Sequence, residues 1–184
     1  MRKLYFATSN KGKVSEAKKI LGLPIEIADV ELDEIQSLDI RKVAEAKARE
    51  AYKKVKNPVF IDDVSFEVEA WNGFPGPFIK FIMIAGNNNY DLLVRMLSAE
   101  KNRKVKVTAV IGYHDGKNVH VIEGSFTGKI VPKKGNNGWG FDPYVIPDGY
   151  TKTLGEMGEG AKNKISHRAK ALSNFKKFLD ETRE

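Results

Sequence analysis

The chain predicts an α/β fold, and three observations carry that reading. The short apolar segment Leu4–Ala7 gives way to a polar loop, Thr8-Ser9-Asn10-Lys11-Gly12-Lys13, and then to apolar residues at helical spacing. Val59-Phe60-Ile61 forms a second apolar run, set behind Asn57-Pro58 at the end of another helix-period segment. Lys104–Tyr113 and Asn118–Phe126 alternate like strands on either side of Asp115-Gly116, a hairpin signal.

In order, Leu4–Ala7 reads as the first strand. The helix after it carries Val14, Ala17, Ile20 and Leu21 on one side and stops at Gly22. A strand, a glycine-containing polar loop and a helix start together make a place that collects anions. The amides of the first helical turn and its positive dipole end face the loop, and Lys13 adds full charge. The loop is not the G-x-x-x-x-G-K-[ST] phosphate loop, and an N-capped helix with an exposed lysine is the plainer reading of it alone.

Pro24–Val30 reads as a second strand and Glu31–Ser37 as an acidic loop. Within that loop Glu34 either reaches a metal or is simply solvated. Asp39 caps a helix running to about Lys56, with Ala44, Ala48, Ala51, Tyr52 and Val55 in one narrow stripe. Next come Val59-Phe60-Ile61 and, directly after them, Asp62 and Asp63. Neighbouring strand residues point to opposite faces, so the two carboxylates cannot share one environment. A carboxylate behind a buried apolar run is costly unless water, a metal or a donor meets it. The plain alternative is a solvated Asp-Asp turn that ends the strand.

Trp71–Pro77 is turn chemistry. Phe78–Ala85 and Tyr90–Glu100 read as helices, the second burying Leu92, Leu93, Met96 and Leu97. Gly135–Tyr144 is a dense loop, where glycines let backbone approach a ligand and Trp139 and Phe141 offer flat surfaces for a base. Ordinary packing is the alternative for Trp139. Val145-Ile146 is a short strand, and the polar, glycine-rich Thr151–Lys162 reads as a mobile flap. The last helix starts near Ser166 and buries Ala169, Leu172, Phe175 and Leu179, which puts His167 and Arg168 on its first turn.

The 184 residues fit a single domain, 1–184, able to bury a substantial core. A content of 41% apolar and 30% charged residues describes a globular chain and not a disordered one. No apolar run approaches the roughly 20 residues of a membrane span, and the first residues read as a strand, not a secretory signal. The absence of cysteine excludes disulfides, zinc thiolates and cysteine nucleophiles. An intracellular, cytoplasmic protein with no membrane partner is expected. The net charge of +7 suits nucleic acid or small polyanions such as nucleotide phosphates. Lysines lie along the helices as Lys-Lys pairs, so a solvated surface is expected, with no specific nucleic-acid binding.

Taken together, these loops resemble the inosine triphosphate/xanthosine triphosphate pyrophosphatases. Thr8-Ser9-Asn10-Lys11-Gly12-Lys13 fits that family's [ST]-x-N-x-x-K opening. Asp62-Asp63, Glu67-Val68-Glu69-Ala70 and Asn72-Gly73-x-Pro75-Gly76 fit its acidic block. Trp139-Gly140-Phe141-Asp142-Pro143 fits its aromatic loop, and Lys162 with Ser166-His167-Arg168-Ala169-x-Ala171-Leu172 fits its C-terminal signature. The sequence departs from the pattern at Val64-Ser65, where the family has Ser-Gly and only a backbone role carries over to Val64. It departs again at Pro77–Lys80.

The resemblance implies an α/β fold with a long twisted mixed sheet and flanking helices, two lobes around a central substrate cleft, and a homodimer. It implies magnesium-dependent hydrolysis of ITP, dITP and XTP to the monophosphate and pyrophosphate. It points to Glu34 and Asp63 as metal-associated carboxylates, with Asp63 as proton acceptor. Thr8, Ser9, Asn10, Lys11, Gly12, Lys13 and Lys162 would hold phosphates. Trp139, Gly140, Phe141, Asp142, His167 and Arg168 would surround the base, with the Arg168 region donating to the 6-keto oxygen. The competing readings are a Maf-like pyrophosphatase preferring pyrimidines and a basic nucleic-acid-binding module. The second lacks any helix-turn-helix, RNP or zinc pattern.

Overall fold

The computed structural model describes residues 3–182. Among them a seven-stranded mixed sheet and six α-helices are formed in the order β1 (Leu4–Ala7), α1 (Lys11–Leu21), β2 (Ile25–Ala28), α2 (Ile40–Val55), β3 (Val59–Val68), β4 (Pro75–Gly76), α3 (Ile79–Ala85), α4 (Asp91–Met96), β5 (Lys104–His114), β6 (Val119–Ile130), β7 (Val145–Pro147), α5 (Glu159–Ile165) and α6 (His167–Glu181). The strand order is β2-β1-β3-β5-β6-β7, with β4 paired to β3. β1 runs parallel to β2 and β3, whereas β4 on β3 and β7 on β6 are antiparallel.

Local chemistry explains the element ends. Asn10 caps α1, and Gly22 closes it in the left-handed conformation with φ 62°. The Asp39 side chain accepts from the Arg41 amide to start α2, and Lys56 ends it, also left-handed. α4 is shorter than its sequence suggests. It stops at Met96, which is exposed, while Leu93 and Leu97 take the inward positions four residues apart.

Two compact units divide the chain. The first comprises Met1–Asp63, Ala109–Gly124 and Arg168–Glu184, the second Val64–Thr108 and Ser125–His167. Within the first, the alternation of β3 sorts its residues into two cores. Phe60 joins Phe6, Leu21, Ile111 and Phe175, whereas Val59 and Ile61 join Val43, Ala44, Ala48 and Ala51 of α2. Phe6 and Phe60 are register partners with rings stacked at 4.2 Å. A Cβ on Gly112 of β5 would fall 2.5 Å from the Ala44 carbonyl oxygen, so the alanine stripe and this glycine together let α2 approach the sheet closely. The second unit packs Phe66, Val68, Leu93, Leu97, Phe141 and Leu154 around one core.

The β5–β6 turn gives a stability prediction. Asp115 accepts from the amides of Lys117 at 2.6 Å and Asn118 at 2.7 Å, and pairs with His120 at 2.8 Å. Burial pushes its carboxyl up, but the amides and His120 more than offset this and hold it at about 2. A carboxyl depressed below its unfolded value stabilises the fold above about pH 4, and this is lost as pH falls through about 2. Asp115 is about a third exposed, which reduces the effect to about 1 kcal/mol. Asp115→Ala is expected to lose that amount at pH 7 and to converge with the wild type near pH 2, as read by urea midpoints across pH.

Candidate active site

In the first unit, β3 continues straight through the Asp pair. Asp62 and Asp63 are 5% and 7% exposed, so the solvated-turn alternative does not hold. Asp62 shares the parity of Phe60. Its Oδ2 accepts from Arg168 Nε, and Arg168 Nη1 donates to Glu16 Oε2 at 3.0 Å. All three residues are buried. Burial works against the guanidinium charge, but Asp62 and Glu16 outweigh it and raise the Arg168 pKa.

Asp63 shares the parity of Ile61 and meets α2. Its Oδ1 lies 2.7 Å from Lys47 Nζ, which is also 3.6 Å from Glu34 Oε1. Burial opposes the Lys47 charge, yet Asp63 and Glu34 prevail and raise its pKa. Asp63 Oδ2 is buried without a hydrogen-bond partner among the described residues. The loop bearing Glu34 is tied down by α2. The Asp33 amide donates to Glu50 Oε2 at 2.9 Å, and Lys54 donates to the Glu31 carbonyl and pairs with Glu50.

The Thr8–Lys13 loop differs in one respect from its sequence reading. Asn10 Oδ1 accepts from the Gly12 amide at 2.9 Å and the Lys13 amide at 3.2 Å, and the Asn10 amide donates to Thr8 Oγ1. Two first-turn amides expected to face an anion are therefore spent on the cap. Thr8 is half-buried, and Ser9, Asn10 and Lys11 are exposed. Lys13 reaches the Asp62 carbonyl. Burial lowers its pKa, with Arg168 and Lys47 adding to the effect and Asp62 and Asp63 opposing it.

The second unit holds the aromatic loop. Asp142 is almost fully buried and accepts from the Trp139 amide at 2.8 Å, while Lys162 Nζ lies 2.8 Å from the same oxygen and 5.8 Å from the Trp139 ring centroid. A Cβ on Gly138 would sit 2.2 Å from that oxygen, and its φ is 76°, so glycine is required there. Gly140 also has positive φ, at 65°. Val64, half-buried, packs on this unit's core.

Two expectations change in this unit. Phe141 is not an open stacking surface: it is buried against Phe66, Tyr90 and His167 at centroid distances of 4.9, 5.9 and 5.4 Å. His167 is buried next to Phe126 and Phe141. The presumed flap is anchored instead. Leu154 is fully buried, Met157 is buried, the Thr153 hydroxyl donates to the Lys134 carbonyl, and Glu159–Ile165 is helical. A cavity of about 610 Å³ in this unit, lined by Glu67, Glu69, Lys104, Lys106 and Asp148 among others, contains none of the predicted site residues.

The structure thus gathers Glu34, Asp63, Lys13 and Arg168 in one unit and Trp139, Asp142, Lys162 and His167 in the other. It adds Lys47 and Glu16, which no sequence motif singled out. The available signal for Lys47 was its spacing of four from Val43 and from Ala51, both buried. Glu34 and Asp63 share one cation, and Asp63 keeps a buried oxygen to spare. That donor set fits a hard divalent ion, which takes few protein carboxylates and completes its shell with water and phosphate oxygens. No group of three or more metal-ligating side chains occurs among the described residues.

The Ham1 family model matches residues 4–178. The chain is 40% identical to the dITP/XTP pyrophosphatase of Thermococcus kodakarensis, covering 97% of this chain and 98% of that protein. It is 34% identical to the inosine triphosphate pyrophosphatase of Schizosaccharomyces pombe, covering 98% and 96%. The solved structure of a HAM1 protein from Coxiella burnetii superposes with a TM-score of 0.84 at 26% identity, covering 98% of this chain and all of that one.

Proposed function

Because this chain belongs to the Ham1 family, we propose that it hydrolyses the non-canonical purine nucleoside triphosphates ITP, dITP and XTP to the monophosphate and pyrophosphate. The observation that carries the chemistry is Asp63, a buried carboxylate with one oxygen on Lys47 and the other without a partner. Glu34 and Asp63 would hold magnesium. When bound, the ion neutralises phosphate charge and acidifies water. Asp63 Oδ2 accepts the proton of the attacking water, a general-base role. Lys13, with Thr8–Gly12, binds phosphate oxygens through its ammonium. It is held beside Asp62 and Asp63 while burial depresses its pKa, so an incoming polyanion favours its charged form.

In the second unit the half-buried Trp139 ring, backed by Lys162 and Asp142, is the surface on which a base stacks. Arg168 Nε and Nη1 donate to Asp62 and Glu16, and backbone N–H groups of the Arg168 region are the donors proposed for the 6-keto oxygen. Phe141 and His167, buried against each other, lie in this unit's core. The protein acts in the cytoplasm as a homodimer. No described helix is long and apolar enough to cross a membrane, and Phe74, Phe81, Ile84 and Met96 are exposed apolar side chains of the kind a second copy would cover.

The reading is tested by pyrophosphate release from a nucleotide panel with and without magnesium. Activity on ITP, dITP and XTP well above ATP, dTTP and UTP, abolished by chelator, is expected. Orthophosphate with a nucleoside diphosphate as products refutes the cleavage site, and full activity in chelator refutes the metal. Base stacking is worth about 1–3 kcal/mol and ignores base identity. Trp139→Ala is therefore expected to raise KM for ITP and XTP together by about tenfold, with their ratio unchanged.

A further inference from the structure

Lys47 is more than a neighbour of the two carboxylates. Its ammonium already lies against both, 2.7 Å from Asp63 and 3.6 Å from Glu34. We propose that Lys47 is a built-in counter-ion that competes with a divalent cation for Glu34 and Asp63, so that metal and triphosphate load together. This rests on the pyrophosphatase reading and adds an order of binding to it.

A cation engaging Asp63 Oδ1 would come within a few ångströms of Lys47 Nζ, in a setting where Lys47 and Asp63 side chains are only 16% and 10% exposed. Like charges at that range repel strongly where water is scarce. The backbone of α2 has no room to carry the lysine inward, because it is packed against Gly112. The lysine stem is flexible, so the ammonium moves while the helix stays. An ammonium displaced from two carboxylates needs another anion, because an unpaired charge in a half-buried place is costly. A free metal ion brings none; a triphosphate does. Metal alone therefore binds weakly, and metal and polyphosphate strengthen each other reciprocally.

The test is Mn2+ titration of the full chain, followed by electron paramagnetic resonance of free Mn2+, without nucleotide and with a non-hydrolysable α,β-imido dITP. Without nucleotide, Lys47→Met is expected to bind Mn2+ at least about tenfold more tightly than wild type, since a methionine occupies similar space without charge. Lys47→Arg, which keeps the charge, should stay within about twofold. In wild type the analogue should tighten Mn2+ by at least about tenfold, and in Lys47→Met by far less. A folded Lys47→Met protein whose nucleotide-free affinity is unchanged, weaker or undetectable overturns the proposal. So does a wild-type protein whose Mn2+ affinity ignores the analogue, a readout that needs no variant to fold. Neither measurement requires turnover. Failure of pyrophosphate release from dITP would refute the pyrophosphatase reading separately.

Discussion

Asp63→Asn is expected to lower kcat for dITP by about 10²–10⁴-fold, the range typical of a lost general base. Asparagine keeps the shape and can still meet Lys47 through its carbonyl oxygen, but it cannot take a proton. Stability should fall by less than at Asp62, because Lys47 keeps Glu34 as a second partner. Asp62→Asn should behave in the opposite way. Asp62 faces Arg168 in a buried ion network, and weakening such a network by removing one partner costs up to about 3–5 kcal/mol. Turnover per folded molecule should remain within roughly tenfold of wild type, well short of a lost base. Urea midpoints paired with pyrophosphate release separate the two. A folded Asp63→Asn protein with near-normal turnover would remove it from the mechanism, and an inactive Asp62→Asn protein of wild-type stability would reverse the assignment.

The second large effect is expected at Arg168. Its guanidinium is 4% exposed at the side chain and neutralises two buried carboxylates, Asp62 and Glu16. Arg168→Ala removes the guanidinium from both, so a loss of about 3–5 kcal/mol is expected. For a protein of this size that lowers Tm by about 6–20 °C. Arg168→Lys should recover part of the loss by restoring charge without the forked geometry. In whatever fraction of either variant folds, the ratio of kcat/KM for ITP over ATP should hold, because Nε and Nη1 are committed elsewhere. A melting point within 2 °C of wild type, a threshold set at well under 1.4 kcal/mol, would deny the network its structural role. A collapsed ITP/ATP ratio would return base selection to this side chain.

What the sequence made legible was whatever depends on neighbours in the chain. Gly22 marked the end of α1, Asp39 and Lys56 the limits of α2, and Asp115-Gly116 the hairpin. The period-two pattern of β3 separated Asp62 from Asp63 correctly. It could not name their partners, because Arg168 lies 106 residues from Asp62 and 152 from Glu16. Lys47 is only 16 residues from Asp63, yet the contact depends on how closely α2 packs on the sheet, and no local pattern encodes that distance. Thr151–Lys162 misled for a similar reason. Its glycines and polar residues suggest looseness, while the anchors Leu154 and Met157 owe their burial to remote strands and helices. Phe141 was read by its flat ring, and the core claimed it.

The Phe6–Phe60 stack has a consequence for how this protein can vary. In β3 the proton-accepting carboxylate and the structural carboxylate are adjacent letters, told apart only by odd and even position. Shifting the strand by one residue sends every side chain to the opposite face. Losing or gaining a single codon anywhere between Phe60 and Asp63 would therefore not trim the active site. It would swap the two carboxylates, presenting the wrong neighbour to Arg168 and to Lys47. Substitutions along this strand can be graded by size and charge, but length changes cannot. Lineages and libraries should tolerate insertions at the exposed Lys117-Asn118 turn far sooner than one within those four residues, and the aromatic pair acts as the reading-frame marker of the fold.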